Sequence, residues 1–169
     1  MRTIVILLSI LFCAVSFRQA FAMSDSEALN LIATIDRNDI NAAELAEKKA
    51  ADAKVLEYAK MLKEVHTTNL QNTEKVAIKA ALALPETPAV KDLAERGSQD
   101  IAALQHLKGK QFEVAYITAM VQGHTNALDI IDNQLKNSVE DAAVKKHIDK
   151  TREHVNEHLQ MAKKIQSEM

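Results

Sequence analysis

Asp39, His66, His124 and His158 each fall where the apolar stripe of a helical segment would ordinarily carry Leu, Ile or Val. Imidazole nitrogen and carboxylate oxygen are donors for borderline transition metals, so such a cluster in a dry interior is a candidate site for one Zn, Fe, Mn or Cu ion. The alternative is a metal-free network, in which each polar group is hydrogen-bonded to backbone, water or a neighbour and the buried groups set the register of the helices. Burying an ionised Asp without partners is costly, and sharing it among imidazoles or with a cation removes much of that cost.

These four residues can meet only if long helices bring them together. The chain is rich in Ala, Leu, Lys, Glu and Gln, has only three Gly and two Pro, and shows no strand-like alternation. That composition favours helix throughout. A first helix is expected after the capping box Ser24-Asp25-Ser26-Glu27, with Leu29, Ile32, Ile35, Ala43, Ala46 and Ala50 on one face. Asp52 is placed to cap a second, carrying Val55, Ala59, Leu62, Leu70, Ala77 and Ala80, which should stop near Leu84 because Pro85 disfavours helical geometry before it.

From Pro85 to Gly109 runs a connection too long for a tight turn. Thr87-Pro88 is a helix start and Gly97 and Gly109 are breaks or stops, so this crossover is expected to hold one or two short helices. A third long helix is expected from about Phe112 to Lys136. Ser138 with Asp141 would cap a fourth, whose stripe is Val144, Ile148, Val155, Leu159, Ala162 and Ile165. Two helical hairpins joined by a long link define an all-α, ferritin-like four-helix bundle.

At 100° per residue, Asp39 lies within roughly 20° of Ile32, His66 within roughly 20° of Val55 and His158 within roughly 40° of Val144, while His124 sits between Val121 and Leu128. His147 and His154 fall at the edge of the last stripe. Along the helix axes, Asp39 and His66 differ by about 3 Å if the first turn centres between Ala51 and Asp52. His124 and His158 differ by about 9 Å if the second centres at Ser138, and by about 3 Å if it centres near Glu140. His154 is the competing ligand from the last helix.

Residues 1–22 are expected to be a secretory signal peptide: Arg2 precedes an apolar run from Ile4 to Phe17, followed by the small-residue site Ala20-Phe21-Ala22. The run is shorter than the roughly 20 apolar residues of a spanning helix, and no second candidate follows, so a periplasmic or secreted protein without a transmembrane segment is expected. The single cysteine, Cys13, lies inside that run. Residues 23–169 then form one domain with 19 basic and 23 acidic residues and few aromatics, which excludes nucleic acid as a partner; a protein partner or homo-oligomer stays open.

Ala59-Lys60-Met61-Leu62 before His66-Thr67, Gly109 before Phe112-Glu113-Val114-Ala115-Tyr116, then His124, and His158-Leu159 before Ala162 follow one another in an order that resembles the domain of unknown function 4142 family. The likeness spans about Ser26 to Ile165. It implies a ferritin-like bundle exported from a bacterial cell, adds weight to His66, His124 and His158 over His106, His147 and His154, and carries no activity with it. Asp39 stands where the family usually has Glu, and Val65 where an acidic residue usually precedes the histidine.

Enzymatic readings fare poorly. A di-iron site needs Glu-x-x-His on two helices, yet Lys63, Val121 and Val155 stand three residues before His66, His124 and His158. His154-Val155-Asn156-Glu157-His158 fits the H-x-x-E-H pattern of inverzincin proteases, but the further acidic ligand expected well downstream has only Glu168 in the same helix to supply it. That match is read as fortuitous. Gly123 is expected either to admit a neighbouring helix beside His124 or to have no role, and His106 to close a helix end.

Overall fold

Helix starts follow from side-chain caps that each satisfy an otherwise orphaned backbone N–H. In the computed structural model, which describes residues 23–169, Ser24 Oγ accepts from Glu27 N–H at 3.2 Å and opens α1 (Asp25–Lys49). Asp52 Oδ1 accepts from Lys54 N–H at 2.8 Å and from Val55 N–H, opening α2 (Ala53–Lys79). Thr87 caps α3 (Pro88–Gln105) with Pro88 in its first turn. The next helix, α4 (Gly109–Ile130), runs on into one π-helical turn, Ile131–Leu135, and Asp141 caps α5 (Ala142–Ser167). The proposed export signal lies outside the described residues. Among the described residues there is no strand, and no helix is long and apolar enough to cross a membrane.

Helices α1 and α2 form one antiparallel hairpin and α4 and α5 the other, with α2 against α5 and α3 lying along α1 as the crossover. This is the all-α bundle with a long link that the periodicity predicts. The crossover differs in detail, for it is a single helix of 18 residues that passes straight through Gly97. Gly97 is there because α1 approaches closely: an added Cβ would collide with the Asn38 carboxamide, whose Nδ2 donates to Leu93 O at 3.0 Å. Gly109 does not end a helix but starts α4, in the left-handed conformation with φ +53°. At Gly123 the expected close neighbour is missing, since nothing lies within 4 Å of the position a Cβ would take.

Two apolar clusters fill the interior. One gathers Leu29, Ile32, Ile131, Leu135, Val144 and Ile148; the other gathers Val55, Leu62, Phe112, Tyr116, Ile117 and Ala162. In the four helices of the two hairpins the residues of the two clusters are separated along the chain by a polar step, at Asp36 in α1, His66 to Thr73 in α2, His124 in α4 and His158 in α5. The core is therefore interrupted by one polar layer.

The second reversal resolves the height of that layer. Ser138 N–H and Val139 N–H both bond to Leu135 O, carrying the helical path past the π turn, and Asp25 accepts from Glu140 N–H at 2.8 Å and Asp141 N–H at 3.0 Å. The chain thus turns near Glu140, which levels His124 with His158 to within about 3 Å at 1.5 Å per residue.

Helix α2 ends five residues earlier than Pro85 alone would require, because Ala81 adopts a left-handed conformation (φ 53°) and Leu82 N–H closes back on Ala77 O at 2.9 Å. That geometry suits glycine and strains a residue with a Cβ. Ala81 is solvent-exposed. The Ala81→Gly variant is expected to be more stable by about 1 kcal/mol, the scale of the left-handed penalty, as read from urea denaturation; equal or lower stability would show that the site carries no strain.

Candidate metal centre

The polar layer is built outward from Asp36, a carboxylate with no exposed surface. Its Oδ1 lies 2.8 Å from His66 Nδ1, and Asn69 Nδ2 donates to both of its oxygens at 3.2 and 3.0 Å. Asn69 Oδ1 in turn accepts from Thr151 Oγ1 at 3.1 Å, linking α2 to α5. Thr73 Oγ1 donates to Asn69 O and lies 2.7 Å from His147 Nε2. The side chain of Asp36 therefore joins three helices through a continuous chain of hydrogen bonds.

That arrangement fixes the orientation of the His66 ring. With Nδ1 against Asp36, Nε2 lies buried on the opposite edge of the ring. His124 is set in the same way by its own helix, Nδ1 donating to Met120 O at 2.8 Å. His158 comes from α5, whose path Tyr58 steadies by donating to His158 O at 3.1 Å. The three rings converge, with centroids 5.0 Å apart for His66 and His158, 5.5 Å for His124 and His158 and 5.9 Å for His66 and His124. One ring nitrogen of each lies within 4.8 Å of the other two.

His66 Nε2, His124 Nε2 and His158 Nδ1 are buried and have no hydrogen-bond partner. Each such orphaned polar atom costs about 1–3 kcal/mol. Asp39 borders the group: its Oδ2 lies 3.4 Å from His66 Nε2, within ion-pair range though not aligned as a hydrogen bond, and 13 % of its side chain is exposed. Four-coordinate ions hold nitrogen at about 2.0–2.1 Å, and the three imidazoles are the described residues spaced for one cation.

All four residues singled out from the sequence are thus in one place. His154 is the outlying histidine, half-buried with its ring centroid 6.5 Å from that of His158. Glu157 is exposed while His158 is buried, so the H-x-x-E-H residues do not share a face. His106 caps the end of α3. The sequence reading missed Asp36, Asn69, Thr73 and Thr151 and left His147 at an edge, whereas His147 is buried. Their signal is a ladder of polar residues at three- and four-residue spacing, His66-Asn69-Thr73 on α2 and His147-Thr151 with His158 on α5.

The segment Phe112-Glu113-Val114-Ala115-Tyr116 has a different task. Glu113 is buried and its Oε1 accepts from Ala51 N–H at 2.9 Å and Asp52 N–H at 2.8 Å, so it closes the α1–α2 turn. Phe112 stacks on Tyr116 and lies under Lys49 Nζ at 5.2 Å.

Electrostatics separate the histidines. Burial pulls His66 down, but the carboxylates of Asp39 and Asp36 outweigh it and hold His66 above the ordinary histidine value. Burial lifts the Asp36 carboxyl above its usual range against the opposing pull of His66 and Asn69. Burial lowers His124 and His147, and burial with the neighbouring histidines pushes His158 down to about 3. The last three are therefore neutral imidazoles near pH 7, the form that binds metal.

The family model for the domain of unknown function DUF4142 matches residues 14–165. No curated protein matches the chain. Two solved structures share its fold: a candidate secreted protein, DUF305, from Streptomyces coelicolor, at 14% identity and a TM-score of 0.72 over 87% of this chain and 94% of that one, and CopM in its Cu(II)-bound form, at 14% identity and 0.65 over 86% and 97%.

Depressed histidines bind protons more tightly in the unfolded chain, so their contribution to stability is lost as pH falls below the ordinary value of 6.5. His66, raised, acts in the opposite sense, and its contribution fades only as pH rises above 6.5. Between pH 6.5 and 5 the metal-free protein is expected to lose about 2 kcal/mol from His158 alone, at 1.36 kcal/mol per pH unit. Urea denaturation at the two pH values measures it; a His158→Leu variant with the same acid loss as the unsubstituted protein would contradict the assignment.

Proposed function

Taking as premise that the chain belongs to the DUF4142 family, we propose that it is an exported cell-envelope bundle that binds one transition-metal ion through His66 Nε2, His124 Nε2, His158 Nδ1 and the Asp39 carboxylate. The observation that carries the reading is that three converging histidines each hold a buried ring nitrogen without a hydrogen-bond partner. A cation would supply the missing interaction for all three, displacing from His66 the proton that Asp39 and Asp36 favour. Export is supported by the apolar run Ile4 to Phe17 with Ala20-Phe21-Ala22, and by the name of the Streptomyces coelicolor relative in fold.

Among Zn, Fe, Mn and Cu, a nitrogen-rich set without thiolate takes Cu(II) most tightly on general grounds. The fold relative CopM, solved with Cu(II), makes copper the first ion to test. Glu-x-x-His pairs are absent, so two-iron oxidation chemistry has no ligand set, and a redox or metal-stress role would rest on a single ion.

One observation favours the metal-free network: the chain of bonds from His147 through Thr73, Asn69, Thr151 and Asp36 to His66 is satisfied without any ion. It accounts for one edge of His66. The inward nitrogens of His66, His124 and His158 are left unexplained by it.

Untagged protein is expected to bind one equivalent of Cu(II), and metal at a hundredfold excess over Kd should stabilise it by about 2.7 kcal/mol. His158→Leu is expected to abolish that gain while making the metal-free protein more stable, because it removes a desolvated imidazole. Calorimetric titration and thermal unfolding read both effects. Failure of the unsubstituted protein to bind Cu(II), Zn(II), Mn(II) or Fe(II) more tightly than the variant does would leave the network as the whole role of the layer.

A further inference from the structure

The three imidazoles are almost sealed, with 1–3 % of each residue exposed, so an ion needs a way in. Asp39 is the member of the group that reaches solvent. It does so into a cleft of about 600 Å³ bounded by α1, α3 and α4. On one side α3 meets α1 at the Gly97–Asn38 contact, and on the α4 side Gly123 presents no side chain and no neighbour lies within 4 Å of the position a Cβ would take. Met120, whose carbonyl holds the His124 ring, lies on the same wall.

We propose that this cleft is the route by which a divalent cation reaches and leaves the histidine centre, with Asp39 as the first protein ligand it meets. The inference rests on the metal-binding reading above and adds to it a path and an order of events. Charge supports the choice of a cation: Asp39, Asp92, Asp100 and Asp129 line the cleft against the single guanidinium of Arg96, which is paired with Asp92. Clefts lined by one sign of charge concentrate counter-ions. The volume holds a hydrated ion with room to spare, at about 30 Å³ per water. The Asp39 oxygen that would capture the ion lies 3.4 Å from His66 Nε2, and the ion passes inward by exchanging water for imidazole. The carboxylate stays attached throughout, so no bare cation crosses apolar surface.

The test uses Co(II), whose visible bands report ligation, and untagged protein. Gly123→Phe and Gln99→Trp would fill the cleft from opposite walls, and Gly123→Ala adds only a methyl to open space. Uptake is followed by stopped flow and release by transfer to excess EDTA, with Kd measured separately. Both bulky variants are expected to slow uptake and release at least tenfold while Kd changes less than threefold, and Gly123→Ala is expected to keep the original rates. Unchanged rates in both bulky variants, or slow uptake with a matching loss of affinity and unaltered release, would overturn the route. Absence of Co(II) bands in the unsubstituted protein would instead overturn the metal reading beneath it, and the route with it.

Discussion

A single buried carboxylate organises this bundle. Asp36 has no contact with solvent, and an ion in that position is tolerable only because His66 and Asn69 satisfy both of its oxygens. Breaking such a buried pair by removing one partner is typically costly, on the order of 3–5 kcal/mol. The consequences spread from there. Asn69 must be oriented to serve Asp36, which turns its carbonyl to Thr151 on α5, and His66 must present Nδ1 to Asp36, which turns Nε2 to the centre. Helix register and ring orientation are thus set by the same bond.

The layer also explains why the core is split. Apolar clusters lie on either side, and the polar step between them is compensated only partly within the protein. Asp36, Asn69, Thr73, Thr151 and His147 satisfy one another. His66 Nε2, His124 Nε2 and His158 Nδ1 do not, and the inward cost they represent is the physical basis for reading the layer as a site and not merely as a register device.

Much of this was legible in the residues, and the reason is periodicity. Ser24, Asp52, Thr87 and Asp141 are cap residues whose side chains act locally, so the helix starts could be read without tertiary information. Asp39, His66, His124 and His158 stood out because a polar residue in the middle of an apolar stripe breaks a strong pattern. Asp36 was harder to see, since it shares its turn with Asp39 and the two read as one polar patch. His147 lay at the margin of its stripe, and only the position of Thr73 on the facing helix makes that margin an interior. Glycines misled for the same reason. Gly97 looks like a break until Asn38 is found against it, and Gly123 looks like a close approach until the space beside it proves open. The level of the second turn depends on the π turn at Ile131–Leu135 and on Asp25 gripping Glu140 and Asp141, a contact across more than a hundred residues that no local pattern encodes.

The most direct measurement of the central claim is the anomalous scattering of Cu(II)-loaded crystals. The account requires one strong peak within bonding distance of His66 Nε2, His124 Nε2 and His158 Nδ1, with the Asp39 carboxylate beside it. Copper found only at exposed residues such as His106, with the three inner rings unmoved and unligated, would contradict it.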